Sequence, residues 1–188
     1  MILLALNELN IEYLRGYIAN GKLKNFQKLI EKGVVKTTSE NSYELLEPWI
    51  QWVTVQTGKP YEDHQVFRLG DIVNRNDLKQ IFEMLEKDGL SVGAVSPFNA
   101  DNRLENPKFF IPDPWTQTKS SGGYLIGKFS KTISRLVNDN ASGKVGLKNL
   151  AWLILGFIFY VRIKRWPTFI RLLIQKNKPG VKAAILDK

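Results

Sequence analysis

Five apolar residues at the head of the chain, Ile2 to Leu6, stop at a polar pair, Asn7-Glu8, and a helix-capping asparagine follows within a turn. An unbroken apolar run of that length reads as a strand covered on both faces. Such strands belong to parallel sheets with helices packed above and below. In open sheets of this kind ligands sit beyond the carboxyl ends of the strands, so Asn7 and Glu8 stand where a site would be.

Punctuation along the next hundred residues repeats that unit. Asn10 is placed to cap a helix whose apolar face is Ile11, Leu14, Tyr17 and Ile18, ended by Gly21; Asn25 is placed to cap another with Phe26, Leu29 and Ile30, ended by Gly33. Val34 to Thr38 reads as a second strand. Pro48 suits the first turn of a helix running to Thr57, because the donor it lacks is one that a helix start leaves unpaired anyway. Trp49 and Trp52, three apart, are expected to pack one face of that helix into the core. Asp77 is expected to cap an amphipathic helix carrying Leu78, Ile81, Phe82 and Leu85, stopped by Gly89, before a short buried strand, Ser91 to Val95. Strands joined by helical crossovers favour a parallel sheet with right-handed connections. Residues 99–123, rich in Asn, Asp, Pro and Gly, read as a long functional loop holding one short strand, Phe109 to Ile111.

Charge separates the chain into two parts. Residues 1–143 carry 17 Lys and Arg against 17 Asp and Glu, whereas residues 144–188 carry 10 against the single Asp187, so the whole excess of +9 lies in the tail. Within that tail the apolar run Leu150 to Val161 is followed by Arg162, Lys164, Arg165 and Trp166, then by a second run, Phe169 to Ile174. Twelve apolar residues are too few to cross a bilayer, which takes about 20. Two helices broken near Trp166-Pro167 are expected, either buried in a larger domain or lying on an anionic membrane surface. The basic residues interleave with long aliphatic runs and match no nucleic-acid-binding module, so no nucleic-acid partner is expected. The chain has no cysteine, which excludes disulfides, thiolate metal sites and cysteine nucleophiles. With no secretory leader at Met1, the expected location is cytoplasmic, in solution or peripheral to the membrane.

Read together, ILLALNELN, GKLKNFQKLIEKGVV and EPWIQWVTVQTGKPYEDHQV resemble the opening of an alkaline-phosphatase-superfamily domain, the group of type I phosphodiesterases, nucleotide pyrophosphatases and sulfatases. Asn25, Phe26, Leu29, Gly33, Trp52, Thr57-Gly58, Pro60 and His64 carry the likeness over roughly the first 70 residues. The resemblance implies an α/β fold, three-layer, with a mostly parallel sheet flanked by helices. Residues 1–98 would be the N-terminal part of the core, 99–123 an irregular loop region and 124–188 a basic helical insert or lid, the whole being an incomplete, truncated domain. It implies a metal-dependent hydrolase of phosphodiesters, phosphomonoesters or sulfate esters, or a related group transferase, using a zinc-like or manganese divalent ion.

The residues at the chemical positions differ from the superfamily's pattern. Where that pattern has a Thr or Ser nucleophile, this chain has Pro48 flanked by Glu47 and Trp49, which makes Glu47 the candidate catalytic carboxylate. Where it has a metal-binding Asp at the tip of the first strand, this chain has Asn7, so Asn7 and the adjacent Glu8 are the candidate metal ligands. Glu47 reads equally as an acid favouring the positive end of its helix, and Glu8 as a surface carboxylate. The single histidine, His64, cannot supply the several imidazoles of a two-metal site, and its counterpart braces the turn after the Thr-Gly helix. The expectation is therefore a chain without turnover by itself. The alternative is a non-catalytic relative that binds a ligand or partner at a membrane surface.

Overall fold

Local capping chemistry sets the first elements. In the computed structural model, which describes residues 1–7, 9–138 and 147–174, Asn10 Oδ1 accepts a hydrogen bond from Tyr13 N at 3.0 Å and opens helix α1, Ile11–Ala19. Helix α2, Lys24–Glu31, begins two residues earlier than a cap at Asn25 would place it. Leu23 enters it from the left-handed region, φ 54°, and no side chain caps it, because the bonds closing α1 run directly into the next turn. Helix α3, Pro48–Thr57, has the bounds its sequence predicts, ending on Gly58 at φ 68°. A short helix α4, Tyr61–His64, follows.

Helix α5 is Ile81–Lys87, shorter than the stretch from Asp77 suggests. Asp77 is engaged elsewhere: the Arg75 guanidinium grips its carboxylate at 2.7–2.8 Å and pulls its pKa from 3.8 to about 2. Gln80 takes over the cap, forming a reciprocal box with Glu83 at the third helical position.

Strands β1, Gly93–Val95, and β2, Phe109–Ile111, pair in parallel with Gly93 opposite Phe109 and Val95 opposite Ile111. Phe110 also bridges antiparallel to Ser121. The chain is mixed α/β, but the two expected strands at Ile2 to Leu6 and Val34 to Thr38 are not formed. Among the described residues neither segment has a ladder partner, and their side chains stand open, Ile2 94% and Val35 91% exposed. An apolar run commits to strand only when a neighbour satisfies its backbone, and here none does.

The chain divides into two compact units, Met1–Gly122 and Gly123–Lys188. In the first, one apolar cluster joins Val53 of α3 to Val66, Ile72 and Leu78, and a second joins Ala94 of β1 to Ala100 and Phe110 of β2, with Phe82 of α5 and Leu104 against it. Trp49 and Trp52 flank the buried face of α3 rather than form it; Ile50 and Val53 are the residues fully enclosed.

Polar side chains hold the loops around these clusters. Gln80, fully buried, pairs its amide with the backbone of Asp101 in both directions at 2.9 Å. Arg103 binds Asp101 at 2.7 Å and donates to the carbonyls of Ile72 (2.7 Å), Leu78 (2.7 Å) and Arg75 (3.1 Å).

The second unit is helical where described: α6, Tyr124–Asn138; α7, Leu147–Tyr160; and α8, Trp166–Ile174. Gly156 of α7 meets the Phe129 ring of α6 so closely that a Cβ there would overlap it. A turn at Ile163–Arg165 separates α7 from α8, and Trp166 Nε1 donates to Val161 O at 3.0 Å across the bend. The break falls where Trp166-Pro167 predicts it. Phe157 stacks on Phe169 with ring centroids 4.6 Å apart, folding α8 back on α7. Among the described residues no helix is long and apolar enough to cross a membrane.

Candidate functional site

Two residues in left-handed backbone, Ser96 (φ 51°) and Asn99 (φ 49°), turn the chain sharply at the carboxyl end of β1. Neither is glycine. Such a conformation costs of order 1 kcal/mol or more and persists only where the surroundings hold it. For Asn99 those surroundings are complete. Its N–H donates to Asp113 Oδ2 at 2.9 Å, its Oδ1 accepts from Gly70 N at 2.8 Å and its Nδ2 donates to Trp49 O at 2.7 Å.

Asp113, two residues past β2 and 1% exposed, accepts in addition from Trp115 N and Thr116 N at 2.8 Å and from Thr116 Oγ1 at 2.6 Å. Four donors replace the hydration that burial removes from this carboxylate. The carboxyl ends of both parallel strands and the first turn of α3 are thereby tied to one point.

Glu47 is the residue before α3. Its carbonyl accepts from Ile50 N (2.9 Å) and Gln51 N (3.1 Å), while its side chain is exposed and makes no capping bond. Its carboxylate therefore stands at the positive end of a ten-residue helix whose first turn is tied to the carboxyl ends of the strands. Trp49, Phe67, Arg68 and Leu69 line an open depression of about 260 Å³, and Trp49 Nε1 donates to Phe67 O at 3.0 Å.

Asn7 also reaches α3. Its Oδ1 accepts from Trp52 Nε1 at 3.2 Å, five residues along the helix from Glu47, or about 7.5 Å of axis. Glu8 lies outside the described residues. Among the described residues no group of three or more His, Asp or Glu side chains converges on a common point. Asn7 offers one amide oxygen already hydrogen-bonded to an indole, and Glu47 one carboxylate. This donor set does not fit a divalent ion.

His64 is enclosed. Its Nδ1 accepts from Val66 N at 3.0 Å, which leaves the proton on Nε2 to be shared with Thr54 Oγ1 at 3.1 Å. Burial lowers its pKa, with Glu40 and Asp63 opposing and Arg75 assisting. A neutral imidazole pinned on both nitrogens braces the turn after α3, the role its position implied.

Sequence reading missed Asn99 and Asp113, absorbing them into a generic polar loop. The available signal was an Asn or Asp a few residues beyond each short apolar run, where a strand tip needs side-chain acceptors. A larger groove of about 560 Å³, lined in part by Met1–Ala5, Trp52, Gln56 and β1, lies on the same unit. Gln56 Nε2 donates to Phe98 O at 2.8 Å, and its buried Oε1 has no partner among the described residues. No protein-family model, curated protein or solved structure matches the chain.

Proposed function

We propose that this chain is the N-terminal portion of a hydrolase of phosphate or sulfate esters, similar to the alkaline-phosphatase superfamily, built on a three-layer, mostly parallel sheet of which β1 and β2 are the part formed here. One observation carries the reading: the first turn of α3 is bound to the carboxyl ends of two parallel strands through Asn99, which accommodates a site at that edge. On this reading Glu47, the residue before Pro48, would take the role of the nucleophile. One carboxylate oxygen would bond to phosphorus or sulfur as the bond from that atom to the ester oxygen breaks, the departing alkoxide taking a proton from solvent water. A second water would then hydrolyse the resulting acyl phosphate or acyl sulfate, returning the carboxylate and releasing the phosphate or sulfate product. The described residues do not bring together three carboxylate or imidazole groups that could hold a metal ion, and turnover by these 188 residues alone is expected to be absent.

A second reading has its own support. The Asn7 amide oxygen that would replace the usual metal ligand is held by Trp52, which favours a non-catalytic relative that binds a ligand or partner.

Both readings meet in one experiment. Aryl phosphate mono- and diesters and an aryl sulfate are incubated with the chain and with Glu47→Ala, with and without Zn²⁺ or Mn²⁺, while backbone amide resonances are followed on adding orthovanadate. The ester-hydrolase reading expects no turnover but vanadate-induced shifts confined to Trp49, Ile50 and neighbouring amides. Shifts nowhere near α3 would leave the binding-protein reading. Metal-dependent turnover lost in Glu47→Ala would establish hydrolysis and overturn the expected inactivity.

A further inference from the structure

We propose that the second unit docks on an anionic lipid surface, with the open face of α7 and the basic turn before α8 lying in the membrane interface. The claim is independent of the ester-hydrolase reading.

It begins with α7, which is apolar on both sides. At 3.6 residues per turn, Leu147, Leu150, Ile154 and Ile158 form one stripe, and Gly156 lies on the opposite side, packed against Phe129 of α6. A helix apolar all round is normally covered all round. Here the stripe is open: Leu147 is 86% exposed and Ile154 51% exposed.

Charge says what covers it. The described residues of this unit, 123–138 and 147–174, carry eight Lys and Arg and no Asp or Glu. Three of the eight, Arg162, Lys164 and Arg165, cluster at the turn where α7 meets α8, beside the half-buried Trp166. Over residues 123–188 the balance is 13 basic against 2 acidic, whereas residues 1–122 hold 14 against 16, so the cationic character belongs to the unit with the open apolar stripe. A second copy of the same face would meet it with like charge. An anionic bilayer offers what the face requires: acyl chains for the stripe, headgroups for the cations and an interface for Trp and Tyr.

Length settles the mode of contact. Fourteen residues of α7 span about 21 Å, short of the ~30 Å hydrocarbon core, so the helix lies along the interface instead of crossing it.

The test is cosedimentation of the full chain with vesicles of phosphatidylcholine containing 30% phosphatidylserine, and with pure phosphatidylcholine, at 0.05 M and 0.5 M NaCl. Expected are binding to the anionic vesicles, at least tenfold weaker at high salt, and little binding to the neutral ones. Neutralising Arg162, Lys164 and Arg165 together to Gln should weaken binding by about 100-fold, at roughly fivefold per cation near the surface. Ile154→Glu with Ile158→Glu should abolish it, and circular dichroism shows whether those variants keep their helices. Trp152 and Trp166 fluorescence should shift to the blue on anionic vesicles and not on neutral ones. Equal binding to both vesicle types, no binding at 0.05 M NaCl, or a stable oligomer in solution that leaves the stripe covered would overturn the proposal.

Discussion

Replacing Arg103 by Met should remove as much stability from the first unit as a large core truncation. The guanidinium places four donated bonds, one to the Asp101 carboxylate and three to the carbonyls of Ile72, Arg75 and Leu78, and both partners of the ion pair are only 14% exposed. Methionine keeps most of the length and none of the donors. Three carbonyls lose a charged partner, and Asp101 is left as an enclosed carboxylate with its counter-charge gone. Breaking a buried pair from one side costs about 3–5 kcal/mol, most of it the exposed want of the remaining groups rather than the bond itself. Lysine keeps the charge but has no planar fork and at most three donors, so Arg103→Lys should cost about 1.5–3 kcal/mol. The assay is urea unfolding by tryptophan fluorescence in a Trp152→Phe, Trp166→Phe background, where Trp49, Trp52 and Trp115 report on the first unit alone. With a urea m-value of roughly 2 kcal/mol/M, the Met variant should unfold about 1.5–2.5 M earlier. Adding Asp101→Asn should recover part of that loss, since the stranded charge disappears. A loss below about 1 kcal/mol for Arg103→Met, or strict additivity with Asp101→Asn, would show that the guanidinium is solvated and the reasoning wrong.

His64 links stability to pH with a definite sign. Its folded pKa lies below the ordinary 6.5, first because of burial, so the unfolded chain takes up a proton that the folded chain refuses; stability is complete above pH 6.5 and falls as pH drops below it. Urea midpoints at pH 7.5 and 5.0 should differ for the parent and converge for His64→Gln. In the second unit, Gly156→Ala should push Phe129 off α7 and lower the melting temperature, and the double variant with Phe129→Ala should regain part of the loss, both read by circular dichroism.

Helices were legible wherever a chemical signal was local. Pro48 and Gly58 bound α3, Asn10 opens α1, and Trp166-Pro167 opens α8, each by a rule that involves only a few neighbouring residues. Phe109–Ile111 was legible for the same reason, as an apolar run between prolines. Capping failed at Asp77 because a competing partner, Arg75, sat two residues away and outbid the helix N–H groups. The strands at Ile2 to Leu6 and Val34 to Thr38 failed differently: their period and composition were right, but a strand exists only as one member of a pair. Glu47 was placed at the start of α3 by position along the chain; the bond from Trp52 of α3 to Asn7, and the meeting of Asn99 with Asp113 fourteen residues on, became visible only in the folded chain.

Nine of the ten buried apolar residues among those described lie between Ile50 and Phe110, and Leu14 is the tenth. Local opening of residues before α3 therefore exposes little apolar surface, while opening the body from Ile50 to Phe110 exposes nearly all of it. Any binding constellation that needs Asn7 together with the first turn of α3 is assembled from parts of very different local stability. Its apparent dissociation constant is the intrinsic one divided by the fraction of molecules in which the weaker part is docked. An element that did no more than hold the N-terminal segment down would thus sharpen ligand affinity from a distance, without touching the ligand.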